Sequence, residues 1–96
     1  MEFEWDREKE RRNVAKHGIG FARAARIFDG PTLDRIDDRE DYGEARVISL
    51  GMVEGIAVLV VVHTDREGAI RIISARPATR RERKIYEEKI QEGTDG

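Results

Sequence analysis

Polar and apolar residues alternate from the first positions, with Phe3 and Trp5 set between Glu2, Glu4 and Asp6, which predicts a short half-buried strand. Asp6 then offers an N-cap oxygen for a helix running to about Lys16, and Gly18 stops it. Val14 and Ala15 are the main apolar residues of that helix, so it belongs on the surface or against a partner. Phe21, Ala24, Ala25 and Phe28 fall at i, i+3, i+4 and i+7, predicting a second helix with one buried face, ended by Asp29-Gly30-Pro31. Residues 33–36 read as a short strand and the acidic stretch 37–44 as a loop. Three longer strands follow over 46–53, 56–64 and 69–76, joined by turns at Glu54-Gly55 and 65–68, as an antiparallel meander. The run 56–62 is apolar throughout, the pattern of a central strand covered on both faces. Simple alternation in the last strand puts Arg71 and Ile73 on one face and Ile70, Ile72, Ser74 and Arg76 on the other.

Thr79 and Glu82 form a capping box, so a last helix begins there with Arg80 and Arg81 in its first two positions. The pattern as a whole predicts an α+β fold: a small antiparallel sheet, made of the three-strand meander and short N-terminal strands, packed with two N-terminal helices and one C-terminal helix. One domain spans 1–92 and a flexible tail 93–96.

Composition narrows the setting. With 96 residues there is room for one domain. The absence of cysteine removes disulfides and thiolate metal sites and favours a reducing, intracellular compartment. No apolar run approaches the ~20 residues of a membrane span, and the opening residues lack a leader's basic-then-apolar order, so the expected location is cytoplasmic, without membrane contact. A net charge of −2 argues against phosphate binding until its distribution is considered. Residues 29–44 carry seven acids against two bases, whereas residues 71–89 carry seven bases against three acids.

The basic end is where candidate chemistry gathers. A cation in the first turn of a helix opposes the macrodipole by roughly 0.3–1 kcal/mol, so Arg80 and Arg81 sit against the helix's preference unless an anion docks there. Arg76 and Arg83 can reach the same corner. The alternative is that these arginines pair with Glu40, Asp41 or Glu44 of the acidic loop, or along the helix as Arg83 with Glu87. His63, at the end of the central strand, is a candidate general base or acid beside this corner; a purely structural histidine fits the same position. His17, ahead of Gly18, suits a helix C-terminus through the dipole. Tyr86 shares a helical face with Glu82 and Ile90, half in the core. The acidic loop has irregular spacing and no calcium-loop glycine, and with two distant histidines and no cysteine no metal or other cofactor is expected.

Three blocks in order resemble the BrnT family of type II toxins. They are Phe3-Glu4-Trp5-Asp6 with Asn13 and Lys16-His17-Gly18; residues 21–28 followed by Asp29 and Pro31; and residues 61–64 with 70–76, Ala78-Thr79 through Arg83, and Tyr86. The likeness covers about residues 2–88 and departs at Gly20 and Ala22-Arg23, where the family often has a serine cap and acidic residues. It implies a compact RelE-like fold, cleavage of RNA and inhibition of translation, and a BrnA-like ribbon-helix-helix antitoxin through which alone operator DNA is bound. On that reading the cut is metal-independent. Arg76, Arg80 and Arg81 hold the phosphate, His63 or Glu82 moves protons, Tyr86 orients a base or phosphate, and Arg71, Arg83 and Lys84 bind RNA. Glu82 already serves the capping box, which makes His63 the preferred base. The rival expectation is a non-catalytic binding module or co-repressor acting through its protein partner.

Overall fold

The structure, a computed structural model, describes residues 1–94. Its strands are β1 (Glu2–Trp5), β2 (Thr32–Ile36), β3 (Val47–Val53), β4 (Ala57–Arg66) and β5 (Ala69–Pro77), and its helices α1 (Arg7–His17), α2 (Phe21–Ala24) and α3 (Arg80–Thr94). The backbone of α3 thus runs two residues into the stretch expected to be a tail, and residues 95 and 96 lie outside the described residues.

All five strands form one sheet in the order β1-β5-β4-β3-β2. The meander β3-β4-β5 is antiparallel, as is β2 on β3, but β1 lies parallel to β5, with Glu2 opposite Ala69 and Trp5 opposite Ile72. The sheet is therefore mixed, not antiparallel throughout. A parallel pair needs a long connection, and the whole chain between β1 and β5 supplies it. The β4–β5 turn is also tighter than expected. Strand β4 runs on to Arg66, and the two-residue loop Glu67-Gly68 has positive φ at both positions (54° and 87°), the conformation whose twist suits a two-residue hairpin.

Alternation along β4 splits the core. Leu59 and Val61 join Phe21, Ala24, Ile27, Ile72 and Ala75 under the N-terminal helices. Val58, Val60 and Val62 join Ile48, Leu50 and Tyr86 under α3. The central strand is thus covered on both faces, as its apolar run predicts.

The second helix departs from its periodicity: one α turn, Phe21–Ala24, gives way to a 3₁₀ segment, Ala25–Asp29. Gly20 has no side chain to cap the helix, and Glu10 of α1 substitutes, its Oε2 accepting the Phe21 N–H at 2.9 Å. The 3₁₀ segment lies directly on β3, where a Cβ built on Gly51 would stand 2.5 Å from the Ile27 Cβ. Only glycine permits that approach.

A bulge in β5 re-aims the functional end of the sheet. Val62 pairs with Ser74 but His63 with Ile72, leaving Ile73 unpaired. Ile70 and Ile72 accordingly stay with the N-terminal helices, whereas Ile73 packs under α3. Ser74 and Arg76 lie opposite Val62 and Val60, and so face α3 as well. Simple alternation had put Arg76 with Ile72; the extra residue reverses it.

Replacing Gly51 with Ala should lower stability by about 1–3 kcal/mol, the usual cost of overpacking a close contact. Urea unfolding, read as a lower midpoint at unchanged slope, checks this.

Candidate functional site

The capping box expected at α3 is present and does more than cap. Thr79 Oγ1 accepts the Glu82 N–H at 3.1 Å, and Glu82 Oε1 accepts the Thr79 N–H at 2.8 Å. Glu82 also takes both Arg76 Nη groups, each at 2.8 Å. The Arg76 fork and then the Thr79 amide outweigh partial burial and hold the Glu82 carboxyl at about 2, so it is ionised throughout the neutral range and is a poor proton carrier. Arg76 is raised in turn, chiefly by Glu82, against desolvation and repulsion from Arg39. Glu82 is thus the clamp that aims Arg76.

Around this clamp, on the α3 face of the sheet, two clefts adjoin. The larger, of about 280 Å³, runs between β2 and α3, with Leu33, Leu50 and Ile85 as apolar lining and Arg35, Arg81 and Glu82 as polar walls. The smaller, of about 110 Å³, is lined by His17, Arg35, Arg39, Ser74 and Arg76 over Val60 and Val62. Arg35 borders both. Arg39 is held by Asp37 through bonds of 2.7 and 2.8 Å. Neither Arg35 nor Arg81 has a carboxylate partner among the described residues, so their charges stay available in the clefts.

His17 reaches the smaller cleft because α1 is fixed to the edge of β5. The Asn13 amide Nδ2 donates to the Ala75 and Ile19 carbonyls at 2.8 and 2.9 Å, while its Oδ1 accepts the Ala75 N–H at 3.0 Å. Four residues on, the last of the helix lies over Ser74. The sequence accounts for His17 as a helix end, and nothing in it shows this second position. Arg35 was countable only as a base in an acidic stretch, although its alternation with Leu33 on one strand face is a usable signal.

The other expected site residues divide. Arg80 is exposed at the start of α3 and Lys84 is exposed on the same helix; neither side chain makes a hydrogen bond or ion pair among the described residues. Arg83 is not at the corner: its Nε bonds Glu87 at 2.8 Å, as the alternative pairing expected, and its Nη1 bonds the Ile56 carbonyl at 2.8 Å. Arg71 pairs with Glu4 of β1 at 3.1 Å. Tyr86 is only 4% exposed and donates its hydroxyl to the Pro31 carbonyl at 2.8 Å, which makes it a core residue away from the arginines.

His63 lies on the opposite face of the sheet from Arg76. Its Nε2 is 2.7 Å from Ser49 Oγ, which lies 2.5 Å from Asp34 Oδ1, and its ring meets Phe28 edge-on at 5.0 Å. The Ser49 hydroxyl gives its one hydrogen to the carboxylate, so His63 Nε2 must carry the proton that it donates to Ser49. Burial lowers the His63 pKa, opposed by the Asp34 charge. The residues form a row across β2, β3 and β4, and the structure does not bring His63 to the arginine corner.

Comparison with known proteins gives two findings. The model of a family described as ribonuclease toxin, BrnT, of type II toxin-antitoxin systems matches residues 5–82. The crystal structure of the ribonuclease toxin BrnT from Brucella abortus superposes with a TM-score of 0.63 at 24% identity, covering 83% of this chain and 99% of that one, which shows a shared fold. No curated protein matches.

The Glu82 clamp sets a pH dependence. Its folded pKa of about 2 lies below the ordinary 4.5, so its contribution is complete above about pH 4.5 and is lost as the pH falls towards 2. Glu82→Gln should cost about 2 kcal/mol at neutral pH and flatten the acid limb of stability in that window. Thermal unfolding of both proteins between pH 2 and 7 tests it; parallel acid limbs would refute the clamp.

Proposed function

This chain belongs to the BrnT family of ribonuclease toxins of type II toxin–antitoxin systems, and on that premise we propose that it cuts RNA without a metal ion in the paired clefts below α3. The observation that carries the reading is the meeting of His17 and Arg76 in one cleft, with the uncompensated Arg35 and Arg81 on its continuation. An imidazole beside several guanidinium groups suits attack within the substrate. The ribose 2′-hydroxyl, which DNA lacks, forms a bond to the adjacent phosphorus while the bond from phosphorus to the 5′-oxygen breaks. His17 takes the hydroxyl proton, the 5′-oxygen takes one from water, and the products are a cyclic phosphate and a 5′-hydroxyl end. Arg76, Arg81 and Arg35 stabilise the charge that builds on the phosphate. Arg80 and Lys84 extend the cationic surface along α3.

His17 replaces His63 as the proposed base because it shares the cleft with Arg76, whereas the His63 Nε2 proton is committed to Ser49. Glu82 is a positioning residue for Arg76. The effect in the cell would be inhibition of translation in the cytoplasm. A type II toxin is countered by a protein antitoxin, and the family resemblance supports a BrnA-like ribbon-helix-helix protein that carries any operator binding. The same resemblance supports a RelE-like reading of the sheet.

The test is incubation of purified protein with labelled single-stranded RNA in excess chelator, with fragment ends identified by mass. Cyclic-phosphate ends are expected, and His17→Ala should slow their release by about 10² or more. No cleavage with or without ribosomes would leave the non-catalytic partner-binding alternative. Loss of activity in His63→Gln but not in His17→Ala would overturn the choice of base.

Arg81→Ala should lower cleavage at least about tenfold while raising stability by roughly 0.3–1 kcal/mol, since it removes a cation from the positive end of a helix dipole. Arg80→Ala should give the same stabilisation with a smaller loss of activity. Rates and melting temperatures of the two variants, measured together, separate a ligand-facing arginine from a structural one.

A further inference from the structure

The sequence marks α1 as a helix with almost no apolar stripe, and the structure shows what its open face offers. Lys9, Arg12 and Lys16, spaced i, i+3 and i+7, are all exposed and line one shallow cleft of about 290 Å³ together with His17, Ile73 and Ser74. That cleft shares His17 and Ser74 with the one that holds Arg76. Of the acids of α1, Glu10 caps α2, whereas Glu8 lies beside Arg11 and Arg12 and so offsets the middle cation of the stripe. Lys9 and Lys16 form no salt bridge among the described residues. Lys9 stands in the first turn, where the dipole disfavours a cation and the N-cap carboxylate of Asp6 is its nearby opposite charge.

We propose that this stripe is a second phosphate-binding track, which holds the backbone of a single-stranded RNA on one side of the bond that is cut. The inference rests on the ribonuclease reading above and adds the direction in which the strand leaves the cleft: past His17 and Ser74 and along α1 towards Lys9. Charge complementarity and continuity with the arginine cleft point to a polyanion, and the stripe's length of about 10 Å from Lys9 to Lys16 suits a backbone better than one isolated anion. Along Lys9, Arg12 and Lys16 no Phe, Tyr or Trp lines the cleft among the described residues, so the track grips phosphates and does not select bases.

The test uses a labelled twelve-nucleotide 2′-O-methyl oligouridylate, whose blocked hydroxyl prevents cleavage, and fluorescence anisotropy across a salt series. Lys9→Ala/Lys16→Ala should weaken binding about tenfold at low salt and reduce the magnitude of the log–log salt slope by about 1.4, from ~0.7 per phosphate contact on a single strand. The control, Arg23→Ala/Arg26→Ala, removes two charges that lie beside Glu54 and should leave the slope unchanged. Equal losses in both variants would mean bulk charge and overturn the track. Wild-type affinity and slope in the lysine variant would also overturn it, whether or not its antitoxin complex weakens, and would leave the ribonuclease reading standing if the chelator assay still shows cleavage. A wild-type protein that binds no RNA at all would remove both.

Discussion

Strand β5 outruns its parallel neighbour: β1 ends opposite Ile72, and beyond that point the outer edge of β5 has no strand to bond. An open edge exposes backbone donors and acceptors that invite foreign pairing. Asn13 closes it, because a carboxamide carries one donor group and one acceptor in the geometry of a peptide unit, and its two ends meet the N–H and C=O of Ala75. The spare Nδ2 hydrogen takes the Ile19 carbonyl, so one buried side chain fixes the helix, the sheet edge and the following loop together. The rest of the site depends on this. Asn13 anchors the C-terminal end of α1, which Gly18 terminates, against β5, and hence places His17 in one cleft with Ser74 and Arg76. Just before it, the bulge at Ile73 turns Arg76 away from the N-terminal helices and towards Glu82. Without the bulge a guanidinium would point into an apolar layer, which is prohibitive without a partner.

The net charge of −2 says little about what this surface can bind, since what matters is which charges remain after internal pairing. Arg39 is matched by Asp37, Arg46 by Glu44, Arg71 by Glu4, Arg76 by Glu82 and Arg83 by Glu87. Three of the five are half-buried and two are exposed pairs of small individual worth, and together they cancel much of the molecule's field. Lys9, Lys16, Arg35, Arg80, Arg81 and Lys84 make no such pair among the described residues. Arg35 and Arg81 border the clefts under α3, and Lys9 and Lys16 border the one along α1. The acidic loop thus consumes some of the cations near it, Arg39 above all, and leaves a subset with a direction.

Local signals were legible in the sequence and non-local ones were not. The apolar run of β4, the Thr79 and Glu82 box and the Arg83 to Glu87 spacing are each decided within a few residues, and each appears as expected. The close seating of the 3₁₀ segment on β3 depends instead on a glycine 24 positions after Ile27, and the face of Arg76 on a single unpaired residue. Because strand alternation has a period of two, one bulge falsifies every assignment beyond it. The parallel placement of β1 likewise has no local signature. At the site, Arg76, Arg81 and Glu82 could be read as one corner from spacing alone, whereas His17 and Arg35 arrive there through α1 docking and β2 pairing.

The two histidines show why residue type is a weak guide to role. His63 occupies a position that looks chemical, at the end of a buried strand, yet its serine neighbour faces a carboxylate and its ring faces Phe28. In that row the serine hydrogen belongs to Asp34, so the hydroxyl cannot be activated by the imidazole, and the order Asp-Ser-His is inverted relative to a nucleophilic triad. What the row does is join the edge strand β2 to the centre of the sheet through a fully satisfied polar chain, which helps fix register where a one-residue slip would turn Leu33 and Arg35 together away from α3. His17 occupies a position that looks structural, at the end of a polar helix. There the helix terminus leaves the ring half-exposed in a cleft with three guanidinium groups, those of Arg35, Arg39 and Arg76, a setting in which a polyanion meets several cations at once.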